Sequence, residues 1–158
     1  MLTFKEGSTE KDYLVAADLF TEYVERLGID ISFQNFNEEL ASLSTMYAKS
    51  QGVLTLSRQK MTEPIGCFGI QKIGKNSICE LKRMYIREQA RGFGIGKKLL
   101  LKSIEAATLL GYKKMRLDTL SSMHAAIHLY QQAGFYEIDP YRFNPMEGAK
   151  YFEVRLTK

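Results

Sequence analysis

Between residues 86 and 99 the chain changes its hydrophobic period, and it does so on a run of glycines. Residues 77 to 86 read as an apolar strand, whereas Leu99, Leu100, Ile104, Ala107 and Leu110 recur on one helical face closed by Gly111. The switch falls on Arg91-Gly92-Phe93-Gly94-Ile95-Gly96. Glycine accepts positive φ and lets a ligand approach the main chain, so alternating glycines turn several backbone N–H groups toward one anion. The helix that begins there adds its unpaired N–H groups and positive dipole end. A strand, an anion-binding turn and a helix in that order are the start of a crossover between parallel strands.

Spacing separates the kinds of phosphate loop. A Walker A loop needs Gly-x-x-x-x-Gly-Lys and then Ser or Thr; here the residue five before Gly96 is Arg91, and Lys97 is followed by Lys98. That disfavours a nucleotide-hydrolysing P-loop. A dinucleotide fingerprint counted from Gly92 finds Gly94 third but Lys97 sixth, and Asp118 then falls roughly where a ribose-binding acid belongs, so this reading stays as a rival. The pattern that fits without exception is Arg/Gln-x-x-Gly-x-Gly, on Arg91, Gly94 and Gly96.

The chain has 158 residues, 45% hydrophobic and 25% charged, which suits one globular domain over 1–158 with its own core. Its net charge of +4 comes from scattered lysines and arginines, with pairs at Lys82-Arg83, Lys97-Lys98 and Lys113-Lys114. No basic stripe of the kind that binds nucleic acid is present in the sequence. Cys67 and Cys79 sit inside apolar segments and read as buried small hydrophobes rather than as zinc ligands or a disulfide. Met1 to Glu6 lacks the apolar core of a signal peptide and no run is long enough to span a membrane, so a cytoplasmic protein without membrane partners is expected.

Along the chain, Leu2 to Glu6 reads as a short strand, and Thr9 with Asp12 as a capping box. Ala16, Leu19, Phe20, Tyr23, Val24 and Leu27 follow at helical spacing, ended by Gly28. Residues 35 to 48 predict a second helix, and 52–58, 64–72 and 77–86 predict an antiparallel meander with a turn at Gly74-Lys75-Asn76. Lys114 to Thr119 returns as a strand. Ser121 or Ser122 is expected to cap the next helix, which carries Ala126, Leu129, Tyr130 and Ala133 on one face, and residues 135–138 and 151–156 supply the last strands. The order predicts an α/β fold: a mixed central sheet with antiparallel N-terminal strands, one parallel crossover, and helices on both faces.

A second signature lies on that later helix. Met123-His124-Ala125-Ala126-Ile127-His128-Leu129-Tyr130-Gln131-Gln132-Ala133-Gly134-Phe135 is similar to Asn-x-x-Ala-x-x-Leu-Tyr-x-x-x-Gly-Phe, and with the glycine turn it resembles the GNAT family of N-acetyltransferases. Met123 departs from the family's usual Asn. The resemblance implies the N-acyltransferase fold and acetyl-CoA as cosubstrate, with no metal. It also implies acetyl transfer to a primary amine by direct attack in a ternary complex. A non-catalytic module that senses acyl-CoA would share the same turn and is the alternative.

By the same resemblance, the amides of Gly92, Phe93, Gly94, Ile95, Gly96 and Lys97 hold the pyrophosphate with Arg91 as a cationic wall, and the main chain of Met84, Tyr85 and Ile86 pairs with the pantetheine arm. Tyr130 is the family's usual acid for the departing thiolate. Glu80 lies six residues before Ile86, similar to the glutamate base of the histone-modifying members. His124 and His128 have metal-binding spacing but no third ligand nearby and are expected in solvent; Asp118 is expected to cap a helix. Phe33, Phe36, Tyr47, Tyr141 and Arg142 are expected to form an aromatic acceptor pocket with one cation, compatible with an amine that carries a carboxylate. The acceptor is a small-molecule or peptide amine, and a homodimer is allowed by this reading.

Overall fold

The computed structural model describes residues 1–28, 30–31, 35–48, 52–59 and 63–157. In chain order the elements are β1 (Leu2–Glu6), α1 (Glu10–Leu27), α2 (Phe36–Ala41), α3 (Leu43–Met46), β2 (Val53–Gln59), β3 (Pro64–Ile73) and β4 (Ile78–Ile86). A 3-10 turn at Glu88–Ala90 leads to α4 (Ile95–Leu109), β5 (Lys114–Leu120), α5 (His124–Gln132), β6 (Tyr136–Ile138) and β7 (Ala149–Arg155). The strands form one sheet in the order β1-β2-β3-β4-β5-β7-β6. Every neighbouring pair is antiparallel except β4 and β5, which are parallel and joined through α4. The expected mixed sheet is therefore the observed one.

Local chemistry explains the element ends. At α1 the Thr9 hydroxyl accepts from the Asp12 amide while the Asp12 carboxylate accepts from the Thr9 amide at 3.1 Å, and Gly28 closes the helix at φ 63°. The helix expected over 35–48 is broken at Ser42, whose φ of −136° interrupts the spiral and whose hydroxyl donates to the Glu38 carbonyl at 2.6 Å. Neither serine caps α5. Met123 occupies the N-cap without a side-chain hydrogen bond, and the Ser121 amide instead donates to the Gly148 carbonyl at 2.7 Å. No helix among the described residues is long and apolar enough to cross a membrane.

The strand period of two sorts the core onto two faces. Leu54, Leu56, Cys67 and Tyr85 pack with Ala16, Leu19 and Phe20 of α1 and with α3. Val53, Phe68, Ile70, Met115 and Leu117 pack with Leu99, Leu100 and Ala107 of α4 and with Tyr130 of α5. Each fully buried leucine or phenylalanine here contributes roughly 2–3 kcal/mol. Cys67 and Cys79 are buried free thiols, and burial pushes the Cys79 thiol up to about 12.

Two irregularities in the sheet prepare the site. β4 pairs with β5 only from Ile78 to Glu80, against Lys114 to Arg116, so the strands part beyond Glu80 while each keeps its other neighbour. In β4 the register against β3 also shifts between Cys67 and Gly69, with Arg83 at φ 54°. This is a bulge made on an arginine, in a backbone region that costs a side-chain-bearing residue about 1 kcal/mol or more.

Candidate active site

The parting of β4 from β5 leaves the Leu81–Ile86 main chain unpaired on the β5 side. An extended ligand with amide groups can add there as a strand does. At the far end of this edge lies the glycine turn, whose three glycines do different work. Gly92 and Gly94 stand at φ 86° and 69° with nothing within 4 Å of a notional Cβ, so the backbone conformation alone requires them. Gly96 has room but not much: a Cβ would meet Leu129 at 3.4 Å and Ile86 at 3.5 Å, which lets α4 sit close to α5 and β4. Gly94 caps α4 without a side-chain hydrogen bond, leaving the first-turn amides to an outside acceptor.

Lys97 and Lys98 lie in that first turn, where no acidic residue balances the positive helix end. Alone this placement costs about 0.3–1 kcal/mol per charge, and a bound phosphate reverses its sign. Arg91 is exposed and braces the turn by donating to the Ile86 carbonyl at 3.1 Å. Phe93 is exposed, whereas Ile95 is buried with Ile65 and Ala90 and anchors the turn. Met84 and Ile86 pack on the α4 side of the sheet, and Tyr85 on the α1 side against Tyr23. A CoA pyrophosphate and pantetheine arm fit these residues: the turn offers free amides and cations, and the parted strands offer an unpaired edge.

Tyr130 is almost fully buried on α5, with its ring 5.8 Å from Phe135 and 6.4 Å from Phe152. Burial pushes its phenol above the ordinary value of 10, and the nearby charges of Tyr23 and Asp118 push the same way. Tyr23 and Asp118 both line a small cleft between the parted strands, so the phenol lies within electrostatic reach of that cleft.

Around the cleft the charged groups are interlocked. Glu80, 2% exposed, accepts from the Tyr141 hydroxyl at 2.6 Å and pairs with Arg142 at 3.1 Å. Burial raises its pKa, opposed by the Arg142 and Lys82 charges. It stands behind the cleft wall. The carboxylate in the wall is Asp118, which accepts from Arg142 at 2.7 Å and from Asn144 at 3.0 Å and does not cap a helix. Opposite it, Lys82 and Arg83 both face the cleft and both pair with Glu39 of α2, at 3.5 and 2.8 Å.

The aromatic pocket is corrected by this arrangement. Of the residues expected to form it, Arg142 lines the cleft, whereas Tyr47 is in the core donating to Glu39, Tyr141 stacks edge-on against Tyr151, and Phe36 lies under the Arg83 guanidinium. Phe33 falls outside the described residues. Three cations thus take the place of one. Lys82-Arg83 was visible in the sequence as a basic pair, but a regular strand sends neighbours to opposite faces and only the bulge turns both inward. His124 and His128 are exposed, and among the described residues no His, Cys, Asp and Glu side chains cluster to hold a metal.

Comparison with known proteins agrees with this geometry. The family model described as Acetyltransferase (GNAT) family matches residues 17–135, from α1 past the end of α5. An uncharacterised N-acetyltransferase of Schizosaccharomyces pombe is 34% identical over 140 residues, 89% of this chain and 86% of that one. A GNAT acetyltransferase structure from Staphylococcus aureus Mu50 superposes with a TM-score of 0.81 at 21% identity, covering 99% of this chain and all of that one. A putative acetyltransferase from Salmonella typhimurium, solved with acetyl-CoA, gives 0.76 at 16% identity over 99% and 95% of the two chains. With both signatures, the parted sheet and the glycine turn in one molecule, the chain belongs to the GNAT family and is an acetyl-CoA-dependent acetyltransferase.

Proposed function

We propose that the enzyme moves acetyl from acetyl-CoA to a primary amine by direct attack in a ternary complex. The observation that carries this reading is the opening between β4 and β5, which joins the glycine turn at one end to the charged cleft at the other. Donor and acceptor can then meet in one continuous space, with no acyl-enzyme required. The amine nitrogen forms the new C–N bond as the C–S bond breaks. An N–H of the unpaired β4 edge polarises the carbonyl, and the departing sulfur takes the Tyr130 proton. Held above its ordinary value, that phenol stays protonated wherever an amine is partly neutral.

The amine's own proton leaves on the carboxylate side of the cleft. Asp118 meets the amine there and the proton leaves from it through the open cleft to solvent, while Glu80, buried behind the wall and holding Tyr141 and Arg142, keeps Arg142 in place. Initial rates measured by release of free CoA, with both substrates varied, test the order. Intersecting double-reciprocal lines are expected; parallel lines, which signal a covalent acyl-enzyme, would remove direct attack.

A further inference from the structure

We infer that the acceptor is a small amine carrying a carboxylate, an amino acid or a close relative, with its amine at Asp118 and its carboxylate at Lys82 and Arg83. The inference rests on the amine-acetylating reading above and specifies what that amine carries.

The cleft wall is unevenly charged. Lys82, Arg83 and Arg142 face it together with the single carboxylate of Asp118, while Glu39 and Glu80, which balance the cations, are 1% and 2% exposed behind the wall. Among the described residues the charged side chains a ligand touches are thus three cations and one carboxylate, although with Glu39 and Glu80 behind them the cluster as a whole is balanced. The charge is also sorted by position: Arg142 is clamped between Glu80 and Asp118, which places a carboxylate in the wall at that end, whereas Lys82 and Arg83, both paired with the buried Glu39, place cations at the other.

Lys82 is the sharpest signal. Its side chain is 8% exposed, its ammonium has three hydrogens to donate, and its ion-pair partner is Glu39 at 3.5 Å. A buried cation so weakly engaged is costly unless something else completes it. A carboxylate does so, and it meets the neighbouring guanidinium at once. The bulge makes this possible by turning consecutive residues to one side, at the expense of a left-handed arginine. The Asp118 charge is felt at the Tyr130 phenol, so an amine held at Asp118 is within electrostatic reach of the group that protonates the leaving sulfur. A polyamine or a long alkylamine would bring positive charge, or none, to the Lys82 end.

The test compares the common amino acids with their carboxamides and their decarboxylated amines as acceptors, reading kcat/KM from free CoA release. The amino acid that is turned over best should exceed its own carboxamide by about a hundredfold, as for a buried ion pair losing one partner. The comparison is stringent because the carboxamide has the less basic amine and holds more of it neutral at the same pH. Lys82→Met should shrink the ratio to within a few-fold, and Lys82→Arg should largely keep it. Equal turnover of acid and carboxamide, or preference for decarboxylated amines or polyamines, would overturn the inference while leaving amine acetylation intact. Turnover of no amine at all would remove both. A wild-type ratio that survives in a folded Lys82→Met protein would also sink it.

Discussion

Tyr130 and Glu80 are both buried, but their neighbours give them opposite prospects. The Tyr130 ring is packed among aromatic rings and its hydroxyl donates to no acceptor among the described residues, whereas the Glu80 carboxylate already holds Tyr141 and Arg142. Tyr130→Phe should lower kcat about a hundredfold with an unchanged acetyl-CoA dissociation constant, measured by single turnover and titration. Because burial lifts this phenol above 10, the wild-type rate should show no falling limb from its deprotonation below pH 10. Glu80→Gln separates two roles. Loss of kcat that recovers at higher pH marks a proton acceptor, while a raised acceptor KM with an unmoved pH profile marks a group that only positions Arg142. The identity of Tyr130 was legible from its signature; the double occupation of Glu80 was not, since its partners lie about sixty residues away in sequence.

At the scale of elements, the β4–turn–α4 unit was the most legible part of the fold. Its period change and glycine spacing are local, and the structure keeps the expected bounds to within a residue or so. What local pattern concealed was that the glycines differ. Gly94→Ala should strain a left-handed cap by about 1–2 kcal/mol and raise the KM for acetyl-CoA, since the amides of that turn are displaced. Gly96→Val should act mainly through packing against Leu129 and Ile86, lowering Tm more than Gly94→Ala. Paired thermal melts and acetyl-CoA saturation curves separate the two. The β4 bulge had no sequence signature, because an arginine at positive φ is held there by Glu39 of α2.

Across the whole molecule, buried carboxylates near both ends of the chain are held by ion pairs and hydrogen bonds: Asp12 by its own N-terminal neighbours, Glu153 by β5 and Tyr136. Burial alone would raise Asp12, but the Lys5 ammonium and the Ser8 and Thr9 groups hold it well below the usual range. Glu153 is likewise pulled down against its burial by Tyr136, Arg116 and Lys114. Lowered folded-state values mean stability that is complete above the unfolded carboxylate range near pH 4 and lost as pH falls through the folded values. Glu80, raised in the fold, acts in the opposite sense. Chemical denaturation should thus give a plateau from about pH 5 upward and a steep decline below pH 4, and Asp12→Asn should lower the plateau by about 1–2 kcal/mol while flattening the decline. By itself the sequence determined the element order, the caps of α1, the acetyl-CoA signatures and Tyr130, all of which are written in local periodicity and short spacings. Only the tertiary structure decided where β4 leaves β5, that Lys82 and Arg83 turn the same way, and which carboxylate faces the cleft, because each depends on contacts between residues far apart in the chain.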